Sequence, residues 1–506
     1  VARFQEVERK FDTDLGTPLP DLSQLGETSE PAELQLDATY FDTARLDLAG
    51  HNVTLRRRTG GDDAGWHLKL PAGQDERTEV RLPPGRANLE VPEALARQVR
   101  ALTRGRPLIP VANLHNRRVE RRLLDAQGNE LAIVADDTVH AERTTNGTVD
   151  LSSWREIEVE LVKGDRSFLD TVSRHLRAAG LAPSASGSKL ARVLGDPALA
   201  GAAGLDGSGD GQSRTAGAVV RAHLREQVDA LIAHDPGARE DRPDAVHQMR
   251  VASRRLRSAL ATYRRLFEPA QTEPVRAELK WLGQVLGRAR DAEVLHSRLL
   301  DLLGELPREL VLGPVKRRLD LELSERQAVA HAQVVAALDG RRYFRLLDAL
   351  DNLVADPPLT ARAGKPAHKE LPARVGHACR RVDQAAQAVA TAPTPRERDH
   401  ALHEVRKSAK RARYAAESAA PVAGKPARRL AKRMEAVQDI LGEHQDTVTS
   451  RDLLRTIGLA AHRTGENAFT FGLLHAEEHA RAIQAQRAYE GALGKATRKK
   501  TRRWTR

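Results

Sequence analysis

Over residues 2–161 the chain switches between apolar and polar positions almost residue by residue. ARFQEVERKF, NVTLRRRTG, GWHLKLP, RTEVRLP, NRRVERRLLDAQGNELAIVADDTV and WREIEVELVKGD all alternate, and several end in Gly, Asp or Pro turn signals. This pattern predicts about eight antiparallel strands closing into a barrel or sandwich. LLDAQGNELAIV predicts a hairpin around Gln127-Gly128-Asn129, and helical spacing predicts helices at 91–104 and 167–180.

The pattern changes after GDPALAGAAGLDGSGDGQSRTAG (195–217), a stretch of Gly, Ala and small polar residues without apolar period, which reads as a flexible linker over 196–214. Beyond it, long Ala/Leu/Arg/Glu stretches keep a helical period and predict an almost wholly helical module. That module repeats itself. HQMRVASRRLRSALATYRRLF (247–267) is echoed by HEVRKSAKRARYAAESAAPVA (403–423), and WLGQVLGRARDAEVL (281–295) by AVQDILGEHQDTVTS (436–450). The two histidines are 156 residues apart and the two Leu-Gly pairs 155, which implies a duplicated bundle, about 215–350 and 365–490.

Composition narrows the function classes. The 506 residues hold a single cysteine, Cys379, which excludes an intramolecular disulfide framework and a Cys-rich metal site and suits a reducing, cytoplasmic setting. With no apolar run long enough to span a bilayer and no signal-peptide pattern, membrane partnership is not expected. The net charge of +12 is uneven: residues 1–200 carry 27 Lys+Arg against 31 Asp+Glu, leaving 54 against 38 for the rest. A basic helical half points to a polyanion-binding surface.

The strand faces carry the candidate chemistry. Glu6, Glu8 and Lys10 share one face, as do Arg56 and Arg58, His67 and Lys69, Arg77 and Glu79, and Glu156, Glu158 and Glu160. One such strand would simply turn its charges to water. All of them turned into a barrel would give a wall carrying both signs. That is what a divalent metal and a polyphosphate together require: oxygen ligands for a hard cation and Arg or Lys for the remaining phosphate charge. There is no Walker-type loop.

Glu6-Val7-Glu8-Arg9-Lys10 resembles the ExExK signature of the CYTH family, the triphosphate tunnel metalloenzymes. YFDT (40–43), LRRR (55–58), HLKLP (67–71), RTEV (77–80), the aspartates at 136–137, EIEVE (156–160) and SKLARVL (188–194) follow in the family's order. The resemblance implies an eight-stranded antiparallel tunnel with accessory helices over residues 1–195. It implies hydrolysis of tripolyphosphate or a related triphosphate with Mg²⁺ or Mn²⁺, or cyclisation of ATP. By the same resemblance Glu6, Glu8 and Lys10 would be catalytic, and Glu6, Glu8, Glu156 and Glu158 would hold metal. Arg56, Arg58, Lys69, Arg77, Arg117 and Lys189 would hold phosphate. Arg117 against Arg118, and Asp136 against Asp137, stay open, because a one-residue slip reverses the inward face.

In the helical module His247, Arg250, Arg254 and Arg257 fall at offsets 0, 3, 7 and 10, and His403, Arg406, Lys410 and Arg413 repeat them. Each set forms a stripe roughly 80° wide, with Met249, Leu256 and Leu260 on the far side as a core face. Cations in line along about 15 Å of helix match a chain of phosphates. Aromatics are only 3% of the chain, so base stacking, and with it specific nucleic-acid binding, is a poor fit. The stripes and the LG…D blocks ending in Asp291 and Asp446 resemble the CHAD family, conserved-histidine α-helical domains. This likeness, over 215–490, implies binding of inorganic polyphosphate and association with polyphosphate granules. The basic end, 491–506, is expected to be a solvated tail. A binding protein without turnover is the alternative reading of the whole chain.

Overall fold

The computed structural model describes residues 2–73, 75–85, 90–145, 148–195 and 215–505. The linker expected at 196–214 lies outside the described residues. The chain divides into two units, Val1–Gly207 and Ser208–Arg506.

In the first unit eight long strands follow the alternation: β1 (Ala2–Thr13), β2 (Ala32–Asp42), β3 (Thr54–Thr59), β4 (Gly65–Gly73), β5 (Glu76–Leu82), β6 (Ile109–Leu124), β7 (Glu130–Thr145) and β8 (Thr148–Leu161). All pairings are antiparallel, in the order β1-β5-β4-β3-β2-β6-β7-β8 and back to β1, so the sheet closes into a barrel. β1 makes the closure by changing partner midway: Ala2–Val7 pair with β5, and Glu8–Thr13 with β8. The expected hairpin joins β6 to β7, where the Asp125 carboxylate accepts the backbone N–H of Gln127 and Asn129.

Because the inward faces are charged, much of the core sits outside the barrel. Helix α1 (Arg166–Ala178) lays Leu169, Val172 and Leu176 over Phe11, Leu123, Val134, Ile157 and Val159, the outward residues of four strands. Asp165 starts this helix by accepting the Phe168 amide. At one end the inward faces turn apolar. There Tyr40, Leu114, Val139 and Trp154 meet Leu190 and Leu194 of the short helix α2 (Lys189–Leu194), which fills that end of the interior.

The second unit is helical: α3 (Ala216–Arg239), α4 (Ala245–Thr262), α5 (Pro269–Glu305), α6 (Val315–Leu338), α7 (Arg341–Ala355), α8 (Ala367–Ala390), α9 (Pro395–Arg463) and α10 (Phe469–Thr497). Gly424, at φ 60° and ψ −136°, breaks α9 into 395–423 and 425–463. The helix order then repeats, with α3, α4, α5 and α6 answered by α8, the two halves of α9, and α10. The starts of the repeats touch, with the Ala216 amide donating to Lys365 O at 2.8 Å. Met249, Leu256 and Leu260 are buried, as their spacing predicts. The basic end is not a free tail: Arg502 Nη1 donates to both carboxylate oxygens of Asp383 in α8, and Thr505 is buried against the bare Cα of Gly376. Spacing in the sequence could not show that Asp383 would be there to receive it. No described helix is long and apolar enough to cross a membrane.

Candidate active site

The alternation that makes β1 a strand sends Glu6, Glu8 and Lys10 inward and leaves Val7 and Arg9 outside. Val7 packs on the α1 cluster, and Arg9 pairs with Asp75 and Asp170. Strand β8 does the same with Glu156, Glu158 and Glu160, its Ile157 and Val159 being buried under α1. Across neighbouring strands Arg118, Asp137 and Glu156 stand in one register row.

The interior is a network of opposite charges. Asp137, Glu156 and Glu158 are buried, and one carboxylate oxygen from each lies within 4.8 Å of the others. The Lys189 ammonium stands among them, 2.7 Å from Asp137 Oδ2, 2.7 Å from Glu156 Oε1 and 2.8 Å from Glu158 Oε1. Arg118 donates two bonds of 2.7 Å to Asp137 and one of 2.6 Å to Glu158. Lys10 bridges Glu158 and Glu8, and Lys69 reaches Glu6 at 2.6 Å. The Trp154 indole donates to Glu156 Oε2 at 2.7 Å.

These contacts set the protonation states. Burial alone would raise the Glu8 carboxyl, but the Lys10 and Lys69 ammoniums outweigh it and hold Glu8 down to about 2. Against the same burial, Lys10, Lys189 and Arg118 hold Glu158 well below the usual carboxylate range. Glu160 goes the other way: burial and the neighbouring Glu6 push it up to about 7.

A second wall is cationic. Burial, with Arg56 and Arg118 close by, lowers Arg58 to about 9, and among the described residues it pairs with Asp63 alone. Arg56 reaches the Tyr40 hydroxyl at 3.3 Å, and the Nε atoms of Arg56 and Arg58 are buried without a hydrogen-bond partner among the described residues. His67 is locked by Glu79 at 2.9 Å and by Asp63 O at 2.8 Å, and burial lowers it to about 4, so it is neutral. Arg77 holds Gly187 O at 2.6 Å. A cavity of about 650 Å³ opens on Glu8, Lys10 and Arg77 beside Ser184, Ser186 and Gly187.

Of the residues expected to hold phosphate, Arg56, Arg58, Lys69, Arg77 and Lys189 therefore line the interior. Arg117 does not: it is half exposed and forks onto Glu33 outside the barrel, and Arg118 takes the inward place. Asp136 likewise pairs outside with Arg155, leaving Asp137 inside. The expected metal set also shifts. Glu156 and Glu158 cluster with Asp137, whereas Glu6 and Glu8 lie against Lys69 and Lys10. Asp137, Arg118, Glu79 and Glu160 were the residues the sequence left unassigned. The β6–β7 register sets Arg118 opposite Asp137, but a shift at Leu123/Leu124 intervenes, so counting outward from the turn does not yield that pair.

The donor set suits a hard divalent cation, being three carboxylates in one buried spot. Glu156 Oε1 is a buried acceptor that receives no hydrogen bond from the described residues, its ammonium neighbour being badly aligned.

In the helical unit Arg254, Arg257, Arg406 and Lys410 have no hydrogen bond or ion pair among the described residues. Arg250 pairs with Asp291, at 3.2 Å, and Arg413 is taken up by Glu417 and Glu435. Burial, then Arg254, Arg406 and Arg250, push Lys410 down to about 6, so cations of both repeats converge there. His247 and His403 border this cluster; burial lowers both, helped by Arg290 for His247 and by Lys407 for His403.

Residues 5–194 match the CYTH domain family and residues 222–455 the CHAD domain family. Uncharacterised proteins of Mycobacterium tuberculosis strains H37Rv and CDC 1551 are each 41% identical over 512 residues, covering 98% of this chain and 96% of theirs. Among solved structures, PptA from Streptomyces chartreusis is similar at 23% identity and a TM-score of 0.47, over 55% of this chain and 99% of its own. The CHAD domain from the plant Ricinus communis is similar at 25% identity and a TM-score of 0.44, over 56% and 92%. The chain belongs to the CYTH–CHAD proteins: a CYTH barrel with a buried acidic cluster able to hold a metal, fused to a CHAD domain of long helices.

Proposed function

We propose that the barrel hydrolyses inorganic triphosphate or a related short polyphosphate with Mg²⁺ or Mn²⁺, and that the helical unit binds inorganic polyphosphate. The observation that carries the first half is the pairing of walls. Buried carboxylates from β1, β7 and β8 face arginines from β3 and β6 across one interior. A binding protein would need the cations alone; the carboxylates are explained by a metal.

Asp137, Glu156 and Glu158 would hold the cation, with Glu8 beside them. A divalent ion bound there supplies Lewis-acid polarisation of a phosphoryl oxygen and a more acidic water. Arg56, Arg58 and Arg118 bind the phosphate oxygens, and their planar forks fix the chain's direction. Lys10, Lys69 and Lys189 add point charges where negative charge builds in the transition state.

For the helical unit, the support is the set of cations from both repeats without an ion pair among the described residues, Arg254, Arg257, Arg406 and Lys410, joined by Arg250. Titration of the full-length protein with long-chain polyphosphate tests it: saturable binding is expected, weakening steeply with salt. Affinity unchanged by replacing Arg250, Arg254, Arg406 and Lys410 with Ala would contradict it.

A further inference from the structure

We propose that the Lys189 ammonium is the resident counter-ion of the Asp137–Glu156–Glu158 cluster, that a divalent cation must evict it to bind, and that the evicted lysine is thereby delivered to phosphate. The inference rests on the reading of this cluster as the metal site, and adds a linkage between metal loading and the state of Lys189.

The geometry makes the two occupants exclusive. Nζ sits 2.7–2.8 Å from one oxygen of each carboxylate, near the centre of a donor set whose atoms lie within 4.8 Å of one another. A magnesium ion needs its oxygens at about 2.0–2.1 Å. Placed among the same three oxygens, it would stand roughly 3 Å or less from the ammonium, where two positive charges repel strongly in a buried site. Charge counting agrees. Against the three carboxylates and Glu8 already stand Lys189, Arg118 and Lys10, so adding a divalent ion without removing a cation leaves an uncompensated buried excess.

Lys189 is the cation built to move. Arg118 is pinned by three hydrogen bonds and lies on a barrel strand. Lys189 makes one well-directed bond, to Glu158, and leaves Glu156 Oε1 without a hydrogen bond from the described residues. It begins a helix of only six residues, and the SASGS stretch before it (184–188) is held by the Ser184 amide donating to Lys10 O and by Arg77 donating to Gly187 O. The rest of α2 is anchored separately through Leu190 and Leu194, so the side chain can swing out while its helix stays docked.

The test is Mn²⁺ binding to the full-length protein without phosphate, followed by the electron paramagnetic resonance signal of free Mn²⁺. Lys189→Met should bind Mn²⁺ about tenfold or more tightly than wild type, the competitor having gone. Lys189→Gln should behave the same way. On the wild-type protein, amine acetylation read by mass spectrometry should label Lys189 several-fold faster with Mg²⁺ than without. Unchanged or weaker Mn²⁺ affinity in both variants, or Lys189 no more reactive with Mg²⁺, overturns the inference. If Glu158→Gln and Glu156→Gln leave wild-type Mn²⁺ affinity intact, the cluster is not the metal site, and the functional reading fails along with the inference.

Discussion

Arg118 grips Asp137 with two parallel hydrogen bonds of 2.7 Å inside the barrel, while its chain neighbour Arg117 grips Glu33 in the same manner outside. Two identical side chains, adjacent in sequence, thus have opposite surroundings. Replacing Arg118 with Ala removes the bidentate partner of a fully buried carboxylate and leaves Asp137 to Lys189 and Asn116; breaking a buried pair from one side costs up to about 3 kcal/mol. We expect a clearly lower thermal midpoint and at least a hundredfold loss of phosphate release. Arg118→Lys should recover much of the stability and less of the activity, because an ammonium cannot fork. Arg117→Ala should change neither. Equal effects at the two positions would show that the inward face is assigned wrongly.

The pH dependence of the helical unit follows from Lys410. Its folded value is lowered from the ordinary 10.5 to about 6. Between those values the unfolded chain binds more protons than the folded one, so the free domain gains stability as pH rises from about 6 and loses it as pH falls. A bound polyanion recharges the lysine. Polyphosphate affinity should therefore fall as pH rises from 7 to 9, by up to about tenfold per unit for one linked proton. Titrations at pH 7, 8 and 9 read the slope, and Lys410→Arg should flatten it while keeping binding.

Gly442 explains the second Leu-Gly block. A Cβ there would meet the Arg406 guanidinium at 3.3 Å, so the bare Cα lets that side chain lie against the helix. Gly287 gives Arg250 the same seat, where a Cβ would lie 3.6 Å from the guanidinium, in ordinary contact. Gly442→Val should displace Arg406 and weaken polyphosphate binding several-fold with little loss of helix content by circular dichroism. The milder Gly287→Ala should cost less. Unaltered binding in Gly442→Val would detach this motif from the anion surface.

How far the sequence could be read depended on whether two signals agreed. EVERKF and EIEVE were legible because the charges that mark the interior alternate with apolar residues that mark the outer core, and each checks the other. The core face of α4 was legible for the same reason, Met249, Leu256 and Leu260 standing opposite the basic stripe. NRRV and ADDT were not, because two like residues in a row suit either parity. The metal cluster was only half legible: Glu156 and Glu158 share a strand, but Asp137 joins them only through the register of the β7–β8 pair. Arg413 fits the stripe by spacing, yet Glu417 and Glu435, from its own and the next half of α9, take its charge. Nothing in the stripe itself signals that.

The central claim is that the buried carboxylates of the barrel make it a metal-dependent triphosphatase. Phosphate release from tripolyphosphate, with Mg²⁺ or Mn²⁺ and then with excess chelator, tests it most directly. Wild type should release phosphate only with metal, and Glu156→Gln, Glu158→Gln and the double variant Glu6→Gln/Glu8→Gln should each lose at least a hundredfold while staying folded. Absence of metal-dependent release from tripolyphosphate, ATP and thiamine triphosphate alike, or full activity in the glutamine variants, would contradict it.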